Sequence, residues 1–245
     1  SLGLMAVFVV DALNLLYISM LGQQELAAAI GYSGTLMFFL TSVAIGLSIA
    51  TTAQVSRALG RGDTSMAGEL GGAGLGFIAA AMIVLSLAFA VFARPLTAML
   101  GAEGRTLDLA VRFIWIVAPS APVMAVGMGA AGLLRAKGDA KRAMYVTLTA
   151  GAATALLDPL FIFVLNLGLD GAAIVSVISR FVFLGFALHA TIKVHDLVAR
   201  PSRTTLAQSA GPFLSIGLPA VMTQLATPVG NAWVTAEIST FGDAA

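Results

Sequence analysis

The chain alternates long apolar stretches with short polar ones, and the apolar stretches are too long to be strands of a soluble sheet. Apolar runs of about 20 residues, bracketed by charges or Gly/Pro clusters, predict seven membrane spans at roughly 2–21, 29–56, 70–93, 110–133, 144–166, 171–192 and 210–238. Helices satisfy their backbone hydrogen bonds within each span, whereas barrel strands would show a dyad alternation that this sequence lacks. The stretch 29–56 is long for one crossing and is expected to tilt or to extend past the bilayer.

Composition places these spans in lipid. The chain is 59% hydrophobic and only 10% charged, with a mean hydropathy of +0.97. Soluble domains are about 45 to 50% apolar and about 25% charged. A net charge of +1 gives no reason to expect a nucleic-acid partner, and the lack of cysteine excludes disulfides and thiolate metal sites. No signal peptide is evident, because the N-terminus runs straight into a full-length apolar span without a basic lead; starting on Ser1, it is expected to be trimmed.

Charge in the loops predicts orientation. Arg57, Arg61, Arg135, Lys137, Lys141, Arg142, Lys193, Arg200 and Arg203 fall in alternate loops, and the opposite loops hold Arg94, Arg105 and Arg112. The positive-inside rule then puts the N-terminus in the cytoplasm. Two of the basic turns are alike, Gly60-Arg61-Gly62-Asp63 and Lys137-Gly138-Asp139. In each, glycine supplies a positive-φ turn and aspartate a cap for the next helix, which predicts two tight helical hairpins. A longer repeat appears on shifting the chain by 220 residues, which sets Asp11 on Asn231, Ile18 on Ile238, Ser19 on Ser239 and Gly22 on Gly242. Span 7 therefore reads as span 1 begun again. Transporters are commonly built from such repeats, so the chain is expected to be a fragment: one six-helix bundle and the first helix of a second.

Candidate chemistry is confined to the spans. Asp158 is the sole charge between Met144 and Leu169, and Asp11 is the sole charge between Ser1 and Gln24. A carboxylate in mid-membrane costs roughly 2.5 to 3.5 kcal/mol on insertion scales, and such groups usually hold an ion, a proton or a substrate. Thr154 and Asp158 are spaced i, i+4 and Asp11 and Asn14 i, i+3, so each pair shares a helical face. Pro159 has no amide hydrogen, which leaves the Ala155 carbonyl open to an ion or water. These are hard oxygen ligands of the kind that suit Na⁺ or a relayed proton.

The run from Asp11 through Ala28, the two Gly-Asp turns, and above all Leu157-Asp158-Pro159-Leu160-Phe161-Ile162 followed by Gly168-Leu169-Asp170-Gly171-Ala172-Ala173 resemble the multidrug and toxic compound extrusion (MATE) transporters. The resemblance covers essentially the whole chain, in order. It implies an all-α polytopic membrane protein, with residues 1–200 as an N-terminal six-helix lobe. Residues 201–245 would be the inter-lobe linker and the seventh helix, which opens the second lobe of an inverted V. It further implies a cation-coupled antiporter in the prokaryotic plasma membrane, driven by H⁺ or Na⁺ with no other cofactor, exporting cationic amphipathic compounds. The missing C-terminal lobe of the same chain would be its partner. The family's ion-site aspartates on the first and fifth helices match Asp11 and Asp158, which makes these two the expected ligands of any bound Na⁺. The family's asparagine one turn before the latter is Thr154 here, and a sixth-helix hydroxyl matches Ser176.

Other readings have weaker support. Asp158 could pair with Arg180 as a packing clamp. Gly127-x-Gly129-x-x-Gly132 lies inside a span without a preceding strand, so close helix packing explains it better than nucleotide binding; the same holds for Gly72 and Gly76. A lipid or polysaccharide flippase should embed several basic residues, and Arg180 alone is embedded. An intramembrane aspartyl protease would need Asp11 and Asp158 to share a water. No nucleophile–base arrangement suggests an enzyme.

Overall fold

The computed structural model describes residues 24–239, and every regular element among them is helical. The order is α1 (Gln24–Gly60), α2 (Thr64–Val91), a short α3 (Ala93–Met99), α4 (Gly104–Val117), α5 (Ala121–Ala136), α6 (Ala140–Pro159), α7 (Gly168–Leu188) and α8 (Arg203–Ser239). Six stretches among the described residues are long and apolar enough to cross a membrane, and they match spans 2 to 7 of the sequence reading. Span 1, with Asp11 and Asn14, lies outside the described residues.

Both Gly-Asp turns form as expected, and they are built identically. Gly62 (φ 77°) and Gly138 (φ 86°) take the left-handed conformation that ends α1 and α5. Asp63 N–H then donates to the Ala58 carbonyl at 3.1 Å, and Asp139 N–H to that of Leu134 at 2.9 Å, the six-to-one bond of a glycine-terminated helix. Each aspartate next caps the following helix: Asp63 Oδ1 accepts from Met66 N–H at 2.9 Å and Asp139 Oδ1 from Arg142 N–H at 3.0 Å. Two residues thus close one helix and open the next.

Span 4 is longer than its apolar run and is broken. It begins at Gly104 because Arg105, Asp108 and Arg112 sit on the first turns of α4 rather than in a loop. They are carried there by exposed ion pairs, Arg94 to Asp108 at 3.0 Å, Arg105 to Glu25 at 3.4 Å, and Arg112 to Asp170. Midway, Pro119 and Pro122 remove amide donors, and a single 3-10 turn (Ala118–Ser120) joins α4 to α5.

The centre of the bundle is α5. Nine of its 16 residues are buried. Its glycines let three neighbours approach: a Cβ would fall 2.5 Å from Phe183 of α7 at Gly127, 2.7 Å from Leu75 of α2 at Gly129, and 2.3 Å from the Thr52 hydroxyl of α1 at Gly132. Close helix packing is therefore the role of that glycine series. Gly72 and Gly76 behave differently from expectation. Gly76 has no neighbour within 4 Å of a would-be Cβ, and Gly72 receives the backbone of a linker, not a helix.

That linker, residues 195–202, is strapped across the start of α2. Ala199 N–H donates to the Gly68 carbonyl at 2.9 Å. The Leu197 and Ala199 carbonyls would come within 2.1 and 2.0 Å of a Cβ at Gly71 and Gly72. Glu69 Oε2 then accepts from Ser202 N–H at 3.1 Å and from the Thr205 hydroxyl at 2.5 Å. Beyond the strap, α8 runs along α1, with Val221 against Gly46 and Gly217 over Leu47 and Ala50, and it meets α2 where the Phe213 ring lies 5.1 Å from that of Phe77.

Candidate functional site

Helix α6 carries the intramembrane carboxylate, and its burial pattern isolates it. Of its 20 residues only Ala143, Val146 and Asp158 are buried, with Asp158 2% exposed. The helix thus leaves most of its apolar residues at least partly exposed yet takes a carboxylate in, the costlier of the two groups to bury.

Pro159 shapes the surroundings as its chemistry dictates. It has no hydrogen to give to the Ala155 carbonyl, and the next amide, Leu160, donates to Leu157. A π turn (Leu160–Val164) follows at once, closed by Leu165 N–H on the Leu160 carbonyl at 2.9 Å. Such turns widen the helix and commonly mark functional positions. The π turn was not legible in the sequence; Pro159 beside Asp158 was its only signal.

The hydroxyl residues expected at the site are half-buried. Thr154 Oγ1 donates to the Ala150 carbonyl at 3.1 Å, and Ser176 Oγ to that of Ala172 at 2.9 Å. Each hydroxyl directs its single proton to the backbone, so its oxygen lone pairs stay available to a cation. Thr154 shares a face of α6 with Asp158 one turn away. Ser176 is on α7, the antiparallel neighbour, whose Gly171 lies against the Phe161 carbonyl at 2.8 Å from a would-be Cβ. At 1.5 Å per residue, Asp158 lies about 12 Å before the turn at Asn166 and Ser176 about 15 Å after it, so the two sit at similar depth. Asp11 and Asn14 lie outside the described residues.

Arg180 has a different partner from the one a clamp on Asp158 would require. Its Nη1 donates to the Val117 carbonyl at 3.0 Å and to the Ser120 hydroxyl at 2.8 Å. Those groups belong to the break between α4 and α5, where Ala121 N–H has turned to Ala118 and left Val117 short of a helical donor. The Ser120 hydroxyl donates to that carbonyl at 2.7 Å, and the embedded cation adds a second donor across the kink. The pair of prolines in Pro119-Ser120-Ala121-Pro122 was the available clue.

A polar cluster joins the basic loops at one end of the bundle. Asp139 Oδ2 accepts from Arg142 Nη1 at 2.5 Å and pairs with His195 Nε2 at 2.8 Å. The Arg142 amide, then its guanidinium, then His195 hold the Asp139 carboxyl well below the usual carboxylate range. The strap that carries His195 also touches the first turns of α2, just after the Gly60–Asp63 turn, so the three Lys/Arg-rich loops meet at the same end.

Comparison with known proteins fits this geometry. A family model described as MatE matches residues 1–160. A Shewanella oneidensis protein named FAD transporter is 26% identical over 244 residues, covering 97% of this chain and 54% of that protein. The multidrug export protein MepA of Staphylococcus aureus is 27% identical over 230 residues, covering 90% and 49%. An inward-facing multidrug-resistance MATE family transporter of the MOP superfamily has the same fold, with a TM-score of 0.86 at 24% identity over 96% of this chain and 54% of that one. An outward-facing structure gives 0.83 at 23% over 91% and 50%. These relatives are transporters, not enzymes, and the chain spans about half the length of the curated relatives it matches. By the family match over most of its length, together with the helical membrane fold, the chain belongs to the MatE family of transporters.

Proposed function

We propose that this chain forms one half of a cation-coupled antiporter that exports organic, cationic amphipathic compounds by alternating access. The observation that carries the reading is Asp158, the one buried polar residue of α6, set beside a carbonyl that Pro159 leaves without its donor. In this account a proton or Na⁺ binds at Asp158 with oxygens of Thr154 and Ser176, and Asp11 and Asn14 complete the site from the first span. Cation binding neutralises the carboxylate and so changes which conformation of the bundle is favoured. The same half-length fold matches both an inward-facing and an outward-facing structure, which supports halves that rock as rigid bodies. Helix α8 would begin the second half.

The gathering of the basic loops at one end supports an orientation with that end in the cytoplasm, in the plasma membrane as the family resemblance implies. Arg180 is engaged by the α4–α5 break, which weakens the flippase reading, since that reading needs free embedded cations. The aspartyl-protease reading loses its basis in a family of transporters.

Efflux by the full-length protein, measured as uptake of a cationic dye into everted vesicles under a proton gradient and separately under a sodium gradient, tests the proposal. Efflux is expected under one of the two gradients. FAD is the anionic control, because one relative bears its name. Efflux of the dye under neither gradient would overturn cation coupling, and transport of FAD with no dye would overturn the substrate class.

A further inference from the structure

A cleft of about 700 Å³ opens between α6 and α7 at the basic end, away from the Asp158 end of the same helices. That volume is of ligand-pocket size rather than a packing gap. Its lining is graded. Arg142, Tyr145 and His189 stand at its mouth toward the basic loops, and Leu148, Ala152 and Phe186 form an apolar stretch, its floor, further along the two helices. Tyr145, Phe186 and Val194 are large side chains left about half exposed along it. The mouth is ringed by further cations: Lys141 Nζ lies 5.9 Å over the Tyr145 ring, and Lys193 is exposed beside Val194. Asp139 and Asp196 offset part of this charge, but Asp139 is already turned to Arg142 and His195, and the rim stays net positive. The Asp139 contact also fixes the Arg142 guanidinium, which is 49% exposed and has donors left over.

We propose that this cleft binds an anionic phospholipid, with the phosphate at Lys141, Arg142 and Lys193 and an acyl chain along Leu148 and Phe186. Basic pockets between membrane helices bind anionic headgroups in this way, and an aromatic such as Tyr145 suits the headgroup level. The assignment does not depend on the transport reading. A charged mouth over an apolar floor matches a molecule that is anionic at one end and hydrocarbon at the other; a free anion would leave the floor unfilled.

The test is native mass spectrometry of the full-length protein in neutral detergent, with phosphatidylglycerol and phosphatidylcholine supplied at equal concentration. Phosphatidylglycerol should be retained preferentially. Lys141→Gln with Lys193→Gln, both exposed, should weaken its retention by roughly 25-fold, about fivefold per charge. Ala152→Phe should reduce retention of both lipids by filling the floor. Equal retention of the two lipids by the native protein would overturn the proposal, as would an unchanged preference in the double variant. Displacement of phosphatidylglycerol by inorganic phosphate at matched concentration would show a free-anion site and overturn the lipid assignment. An empty cleft in the full-length protein would show it covered by another part of the chain, with the same consequence.

Discussion

Helices α5 and α6 are joined by one turn, yet they use burial in opposite ways. The first buries nine of 16 residues, all small or aliphatic, and lets three helices approach across Gly127, Gly129 and Gly132. The second buries three of 20, and one of those is Asp158. In α5 burial holds the bundle together; in α6 it encloses a carboxylate, the group proposed above as the coupling-ion ligand. Stability and transport should therefore be separable between two adjacent helices.

The largest effect should come from α6. Asp158→Asn is expected to reduce gradient-driven efflux to the vector background while leaving thermal stability unchanged or higher, because a buried carboxylate gives way to a neutral isostere. Loss of folded protein in detergent would instead make α6 structural. The converse change is Gly132→Leu in α5, where even a Cβ would sit 2.3 Å from the Thr52 hydroxyl. Overpacking of this kind costs about 1 to 3 kcal/mol, so the melting temperature should drop, with the specific efflux of the remaining folded protein preserved. Gly72→Ala should act in the same direction by pushing the Ala199 carbonyl off α2, and faster tryptic cleavage of the strap would report it.

A smaller effect should come from Thr154→Val. Losing one oxygen contact to a cation is expected to weaken the driving ion by roughly tenfold, visible as a shift in the ion dependence of efflux at constant stability. Smallest is the Asp139 cluster. Its folded carboxyl is held below the ordinary value of 3.8, so its contribution to stability is present above that pH and is lost as the pH falls below about 4. Asp139→Asn should flatten the acid limb of a melting-temperature profile and leave efflux intact.

What the sequence disclosed differs between local and tertiary features. Both Gly-Asp turns were readable because a positive φ and a capping carboxylate are properties of adjacent residues, and both are realised. Asp158 and Pro159 were readable because a charge and a missing amide stand out in an apolar run. The partner of Arg180 was not, since it depends on how a kink in α4–α5 faces α7. Nor was the strap: Gly72 in a small-residue pattern signals a close neighbour without saying whether that neighbour is a helix or an extended linker. Hydropathy also misplaced the start of α4, because Arg105 and Arg112 are helical residues whose charges are met by Glu25 and Asp170 from other elements.

The most direct measurement of the central claim is the count of cations exchanged when substrate binds the full-length protein, by proton release in weak buffer or by displacement of radioactive sodium. With Asp158 as a coupling-ion ligand, Asp158→Asn should release one cation fewer per transporter than the native protein. Equal release from the two proteins would contradict that assignment.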